Sequence, residues 1–135
     1  AIPFVFAQQR SGGIAQAIDL APVILLPERQ WLYRRCDLRF ELMWQGGAIE
    51  EVEALLARNL PEDMPVMRAI GVPEIRMFLQ GTILQNEAIA AGQQATRRYA
   101  KRQYTWLRNQ DPDSWPRMEY ENSIDCDYVA SLLRI

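Results

Sequence analysis

Residues 94–108 read QATRRYAKRQYTWLR, with five cations (Arg97, Arg98, Lys101, Arg102 and Arg108) and no acidic side chain. On a helix, Ala88, Gly92, Ala95, Tyr99 and Trp106 follow at spacings of 4, 3, 4 and 7. That spacing predicts one packing face passing from small to aromatic side chains. Arg97, Lys101 and Arg108 run beside it, and Arg98 with Arg102 forms a second row. One face packs and the other presents charge. Arginine forks and a lysine point charge in rows suit the oxygens of a phosphate backbone. A long helix over 85–109 is the expectation, and it tilts the whole chain towards a mainly α class. Its start is weakly capped, because Leu84 and Gln85 stand where Ser, Thr or Asp would be favoured.

The alternative for this stretch is a solvated face. Such faces usually mix signs to gain i,i+4 pairs, whereas five like charges repel one another. The interleaved Tyr99, Tyr104 and Trp106 also permit stacking on bases or on guanidinium planes. Pattern alone leaves a polyanion site and a bland surface both open.

Downstream of Asp111-Pro112, a loop, a short strand over 117–120 and a last helix over 128–135 are expected. Upstream, Gly81 ends a helix opened by Pro73, and Gly71 joins it to a shorter piece begun at Pro65. Residues 48–58 form an amphipathic helix with Ile49, Val52, Leu55 and Leu56 inward, followed by Asn59 in a left-handed cap. Glu50, Glu51 and Glu53 read as a solvated face at the favourable end of the helix dipole. Pro27 is expected to open the preceding helix, which stops at Gly46-Gly47. Its apolar face is Leu32, Cys36, Phe40 and Met43, and Arg39 falls on the same side. A buried, unpaired arginine costs several kcal/mol, roughly, so Arg39 needs a carboxylate, carbonyls or an anionic ligand. A structural ion pair and a phosphate ligand both satisfy that need. The apolar run APVILL at 21–26 reads as a buried strand, and both strands are expected to lack partners within the chain. Residues 1–19 are an ambiguous lead-in broken at Ser11-Gly12-Gly13.

Composition bounds the chemistry. The chain has 135 residues, 49% of them apolar, which suffices for one domain with a core. A net charge of −2 excludes a uniformly basic coat but not a local basic stripe. With no histidine, hydrolytic triads and zinc–histidine chemistry are excluded. Cys36 and Cys126 lie too far apart for a CxxC site, and no apolar run reaches the roughly 18 residues of a membrane span. A reduced, cytoplasmic setting is the plain reading. The chain begins at Ala1 with neither a signal nor a transit peptide pattern, so a piece of a longer protein is expected.

Four blocks carry a resemblance. They are Leu32-x6-Arg39-Phe40-x2-Met43, Glu51-Val52-x2-Leu55-Leu56-Ala57-Arg58, Met67-Arg68-Ala69-Ile70-Gly71 and Ala95-Thr96-Arg97-x2-Ala100-Lys101-Arg102-Gln103-x-Thr105-Trp106-x-Arg108. In order and spacing they resemble the C-terminal part of the tRNA dimethylallyltransferases (tRNA isopentenyltransferases), over about residues 20–115. The resemblance implies the helical C-terminal part of an α/β P-loop kinase-like enzyme, mainly α with one or two short strands. Residues 1–19 would be a lead-in or remnant of a helical insertion, 20–120 the core part and 121–135 a tail.

The implied activity is transfer of a dimethylallyl group from dimethylallyl diphosphate to N6 of the adenosine 3′ of the anticodon. The implied partners are that diphosphate and the anticodon stem-loop of tRNA, with Mg²⁺ in a monomeric full-length enzyme and no membrane. Arg39 would bind diphosphate. Arg68, Ala69, Ile70, Gly71, Val72 and Pro73, with Lys101, Arg102, Gln103, Tyr104, Thr105, Trp106, Leu107 and Arg108, would form the tRNA surface. The family's G-x-x-x-x-G-K-[ST] loop and the aspartate base that follows it are absent from these 135 residues. Val72-Pro73-Glu74 also stands where the family commonly has Tyr-Arg-Gln, removing an aromatic and a cation. The expectation is therefore a segment inactive alone, with a stand-alone helical nucleic-acid or protein binding module as the second reading.

Overall fold

The computed structural model describes residues 22–110 and 114–120. Strand β1 (Ile24–Pro27) leads into helix α1 (Arg29–Gln45), followed by α2 (Ala48–Ala57), a single 3₁₀ turn (Pro65–Arg68) and α3 (Val72–Leu79). The long α4 (Gln85–Asn109) and strand β2 (Arg117–Tyr120) complete it. The fold is mainly α with two short strands. The expected lead-in over 1–19 and the helix over 128–135 lie outside the described residues.

Local chemistry sets most boundaries. The Glu28 carboxylate accepts from the N–H groups of Gln30 and Trp31, both at 2.6 Å, and so caps α1. Pro27 therefore ends a strand and does not open the helix, contrary to the expectation from sequence. Asn59 takes a left-handed φ of 49° just past α2, as its short amide side chain permits. At α4 the Leu84 N–H donates to the Glu87 carboxylate at 2.7 Å, which supplies the cap that Leu84 itself cannot. The equivalent bond from Gly71 N–H to Glu74, 2.9 Å, starts α3.

The two strands pair with each other in parallel, Ile24 against Arg117 through Pro27 against Tyr120. The expectation that they lack partners is overturned: all four helices lie within one long crossover between them. Ile24 and Leu26 turn inward onto Tyr104 of α4, with Leu32, Leu107 and Trp115 packed around them.

The larger core sits where α1 and α4 run antiparallel. Phe40 and Trp44 of α1 meet Val52 of α2, Val72 and Ile75 of α3, and Ala88 of α4. The tip of the Phe40 ring meets the α4 backbone at Gly92, where an added Cβ would stand only 2.0 Å from its Cζ. Gly71, at φ +102°, brings the start of α3 to the other side of that ring, with a built Cβ 3.7 Å from Cε2.

The packing face of α4 differs from the expected one. Ala88, Gly92, Ala100 and Tyr104 are buried, while Tyr99 and Trp106 are each 49% exposed. The buried residues step by multiples of four, and each such step turns about 40° around the axis. That rotation follows the neighbours: α1 runs alongside throughout, while α3 at the start of α4 gives way to β1 near its end. On α1 likewise, the buried pair is Phe40 and Trp44, and Met43 is exposed.

Candidate nucleic-acid and anion site

The basic face of α4 is not uniform. Arg97 forms an ion pair with Asp37 of α1, both side chains about one-third exposed. It thus ties two helices together instead of presenting charge outward. Gln93 reinforces the seam, donating to the Asp37 carbonyl at 3.3 Å and the Glu41 carboxylate at 2.9 Å. Sequence spacing gives no hint of Asp37, because the partner comes from 60 residues away.

Arg98, Lys101, Arg102 and Arg108 remain exposed, and no carboxylate among the described residues pairs with any of them. Arg98, Lys101, Arg102, Thr105, Trp106 and Asn109 line one shallow hollow on this face. Arg102, Gln103, Trp106 and Leu107 line a second beside it. Trp106 and Arg102 therefore form the ridge between two surface depressions. Of the expected surface segment, Tyr104 points the other way, buried beneath the Arg29 guanidinium at 4.8 Å. Leu107 is half-buried against β1.

Arg39 stands on α1 beside a cavity of about 220 Å³ lined also by Cys36, Phe40, Met43, Ile70, Thr96 and Tyr99. It is exposed at the mouth and not on the buried face, and among the described residues no carboxylate pairs with it. Among the described residues the structural ion pair that could have explained it is thus not formed. The Cys36 thiol in this cavity is pushed up from its ordinary pKa, first by burial and then by Asp37, against the pull of Arg39 and Arg97. It is held as the neutral thiol and not as an activated nucleophile.

The segment 68–73 divides. Arg68, Ala69 and Ile70 are exposed, Ile70 at the rim of the Arg39 cavity, while Gly71 and Val72 are buried and Pro73 is half-buried. Arg39 and Ile70 thus come together, and the α4 cations lie on an adjoining helix. Among the described residues no three His, Cys, Asp or Glu side chains converge to hold a metal ion.

A family model described as IPP transferase matches residues 4–110. The chain belongs to the IPP transferase family. A protein named tRNA dimethylallyltransferase from Novosphingobium aromaticivorans is 73% identical over 128 residues, covering 95% of this chain and 46% of the relative. Its namesake from Sphingopyxis alaskensis is 60% identical, covering 94% and 42%. The crystal structure of the full-length tRNA isopentenylpyrophosphate transferase from Bacillus halodurans superposes with a TM-score of 0.70 at 32% identity. There the match covers 85% of this chain and 39% of that one. The chain spans less than half the length of these IPP transferase relatives. Within the described residues no helix is long and apolar enough to cross a membrane.

Sequence reasoning misses where Tyr99 stands: periodicity assigns it to the core, and it instead rims the Arg39 cavity. Its place among the cations marks it as a candidate stacking ring, alongside Tyr104 and Trp106.

Proposed function

We propose that this chain is the C-terminal part of a transferase that moves a dimethylallyl group from dimethylallyl diphosphate to N6 of the adenosine 3′ of the tRNA anticodon. In this reading, residues 20–120 complete the enzyme core, α4 grips the RNA backbone and Arg39 binds the diphosphate. The observation that carries it is the set of α4 cations without carboxylate partners among the described residues, beside an Arg39 in the same state at an apolar cavity. Exposed guanidinium forks and a lysine without carboxylate partners are free to take phosphate oxygens.

The target adenosine must leave its stack, at a cost of a few kcal/mol, roughly, which contacts to protein offset. Lys101, Arg102 and Arg108 would hold phosphates on either side, with Trp106 offering a stacking face. Arg39 would stabilise the negative charge that grows on the diphosphate as the C–O bond to the prenyl group breaks. The Mg²⁺–diphosphate would need a P-loop of the G-x-x-x-x-G-K-[ST] pattern, which these 135 residues lack, and the N6 proton a base that the family resemblance places just after that loop. The chain alone is therefore expected to bind RNA without transferring the group.

Filter binding of unmodified tRNA across a salt series tests this. Wild-type binding should weaken steeply with salt. Replacing both Lys101 and Arg102 with alanine should lower the log–log slope by about 1.4 to 1.8, taking roughly 0.7 (single strand) to 0.9 (duplex) for each phosphate no longer neutralised. Binding that ignores salt, or a slope unmoved by both changes, would overturn the reading.

A further inference from the structure

Tyr99 is the residue that joins the two halves of the site. Its ring lines the Arg39 cavity on one side. The Arg102 guanidinium lies 5.6 Å from its centroid, about one helical turn further along α4. Half of the side chain remains exposed although the next residue on the helix, Ala100, is buried. Exposing this much aromatic surface does nothing for packing. It does place a π-face between two cations, Arg39 and Arg102, neither of which pairs with a carboxylate among the described residues.

Chemistry limits what such a face receives. A flat, electron-rich ring backed by a guanidinium accepts another planar ring in offset stacking, the cation polarising the sandwich. Two flanking arginines require that this ring stand between two anions, one beside each guanidinium. A nucleotide turned out of a strand towards a bound diphosphate satisfies both conditions, with its base on the tyrosine, a neighbouring backbone phosphate on Arg102 and the diphosphate on Arg39.

We propose that Tyr99 is the stacking platform for the extruded purine, with Arg102 behind the ring and the Arg39 cavity before it. This rests on the tRNA reading of the chain. It adds a residue that fixes where the base sits relative to the cavity. Phenylalanine can replace it, because the ring and not the hydroxyl makes the stack.

A double-mutant cycle on the 135-residue chain tests the proposal. One arm compares wild type, Tyr99→Ala and Tyr99→Phe, each checked for an unchanged thermal transition. The other compares an anticodon stem-loop carrying the adenosine 3′ of the anticodon with the same RNA made abasic at that position. Tyr99→Ala should weaken binding of the intact RNA on the order of tenfold to a hundredfold, with an unchanged salt slope. Wild type and Tyr99→Ala should bind the abasic RNA equally, and Tyr99→Phe should match wild type on both. Equal losses on intact and abasic RNA would overturn the platform and make Tyr99 a support for Arg102. No loss on either would overturn it as a solvated side chain. If wild type binds neither RNA in a salt-dependent way, the tRNA reading fails first, and the platform with it.

Discussion

The two ends of α4 are packed by opposite means. Near its start, Gly92 has no side chain, and the Phe40 ring presses onto bare backbone. Near its end, Tyr104 supplies the bulk itself and fills the space beneath β1, with Ile24 and Leu26 against it. In one region the partner brings the volume, and in the other the helix does. The first joint is helix on helix and sensitive to a single added carbon. The second is helix on sheet and depends on strands that meet only after the whole helical region has folded back.

Substitutions can separate the two. Phe40→Ala, at a residue 4% exposed, should lose about 3–5 kcal/mol in a urea titration through the cavity it leaves. Gly92→Ala should lose about 3 kcal/mol by overpacking, and adding Phe40→Leu should recover part of that loss. At the other joint Leu26→Ala, from 2% exposure, should lose about 2–4 kcal/mol, while Tyr104 still covers the helix. If Gly92→Ala proves neutral, the close approach of Phe40 is wrong and the contrast disappears.

Smaller effects probe the seams. The Asp37–Arg97 pair is one-third exposed, so a double-alanine cycle should give a coupling of only about 0.5 kcal/mol. The Glu28 carboxyl is held below its ordinary value of 4.5, chiefly by the N–H of Gln30 and then that of Trp31. A depressed folded-state pKa contributes stability above the unfolded value and loses it as pH falls through the folded one. The melting temperature of wild type should therefore fall relative to Glu28→Gln as pH drops below about 4.5, and the two should converge in strong acid.

Elements set by neighbouring residues are legible in the sequence. The bounds of α4, the strand over 117–120 and the left-handed Asn59 follow from period, β-propensity and cap chemistry within a few residues. What escapes is set across the chain. Periodicity assigns Tyr99 and Trp106 to the core because a repeating pattern carries no information about which neighbour changes along a helix. Arg97 reads as a ligand because Asp37 is remote in sequence. Arg39 reads as buried when the face is drawn through Met43 and not through Trp44. In the site, the cations are evident as residue types, and their division into a structural one and exposed ones is not.

The parallel pairing of Ile24 with Arg117 has a kinetic consequence. Its ladder closes a loop of 93 residues (117 minus 24), while the helices it spans are built from local bonds. Closing so long a loop is entropically costly, and the compensating contacts form only once α1 and α4 have docked. The sheet should therefore form last on refolding. In native-state hydrogen exchange, the amides of Ile24 and Glu28, bonded to Pro116 and Tyr120, should open before those around Phe40. The edge that joins the two ends of the described chain is also where it comes apart first.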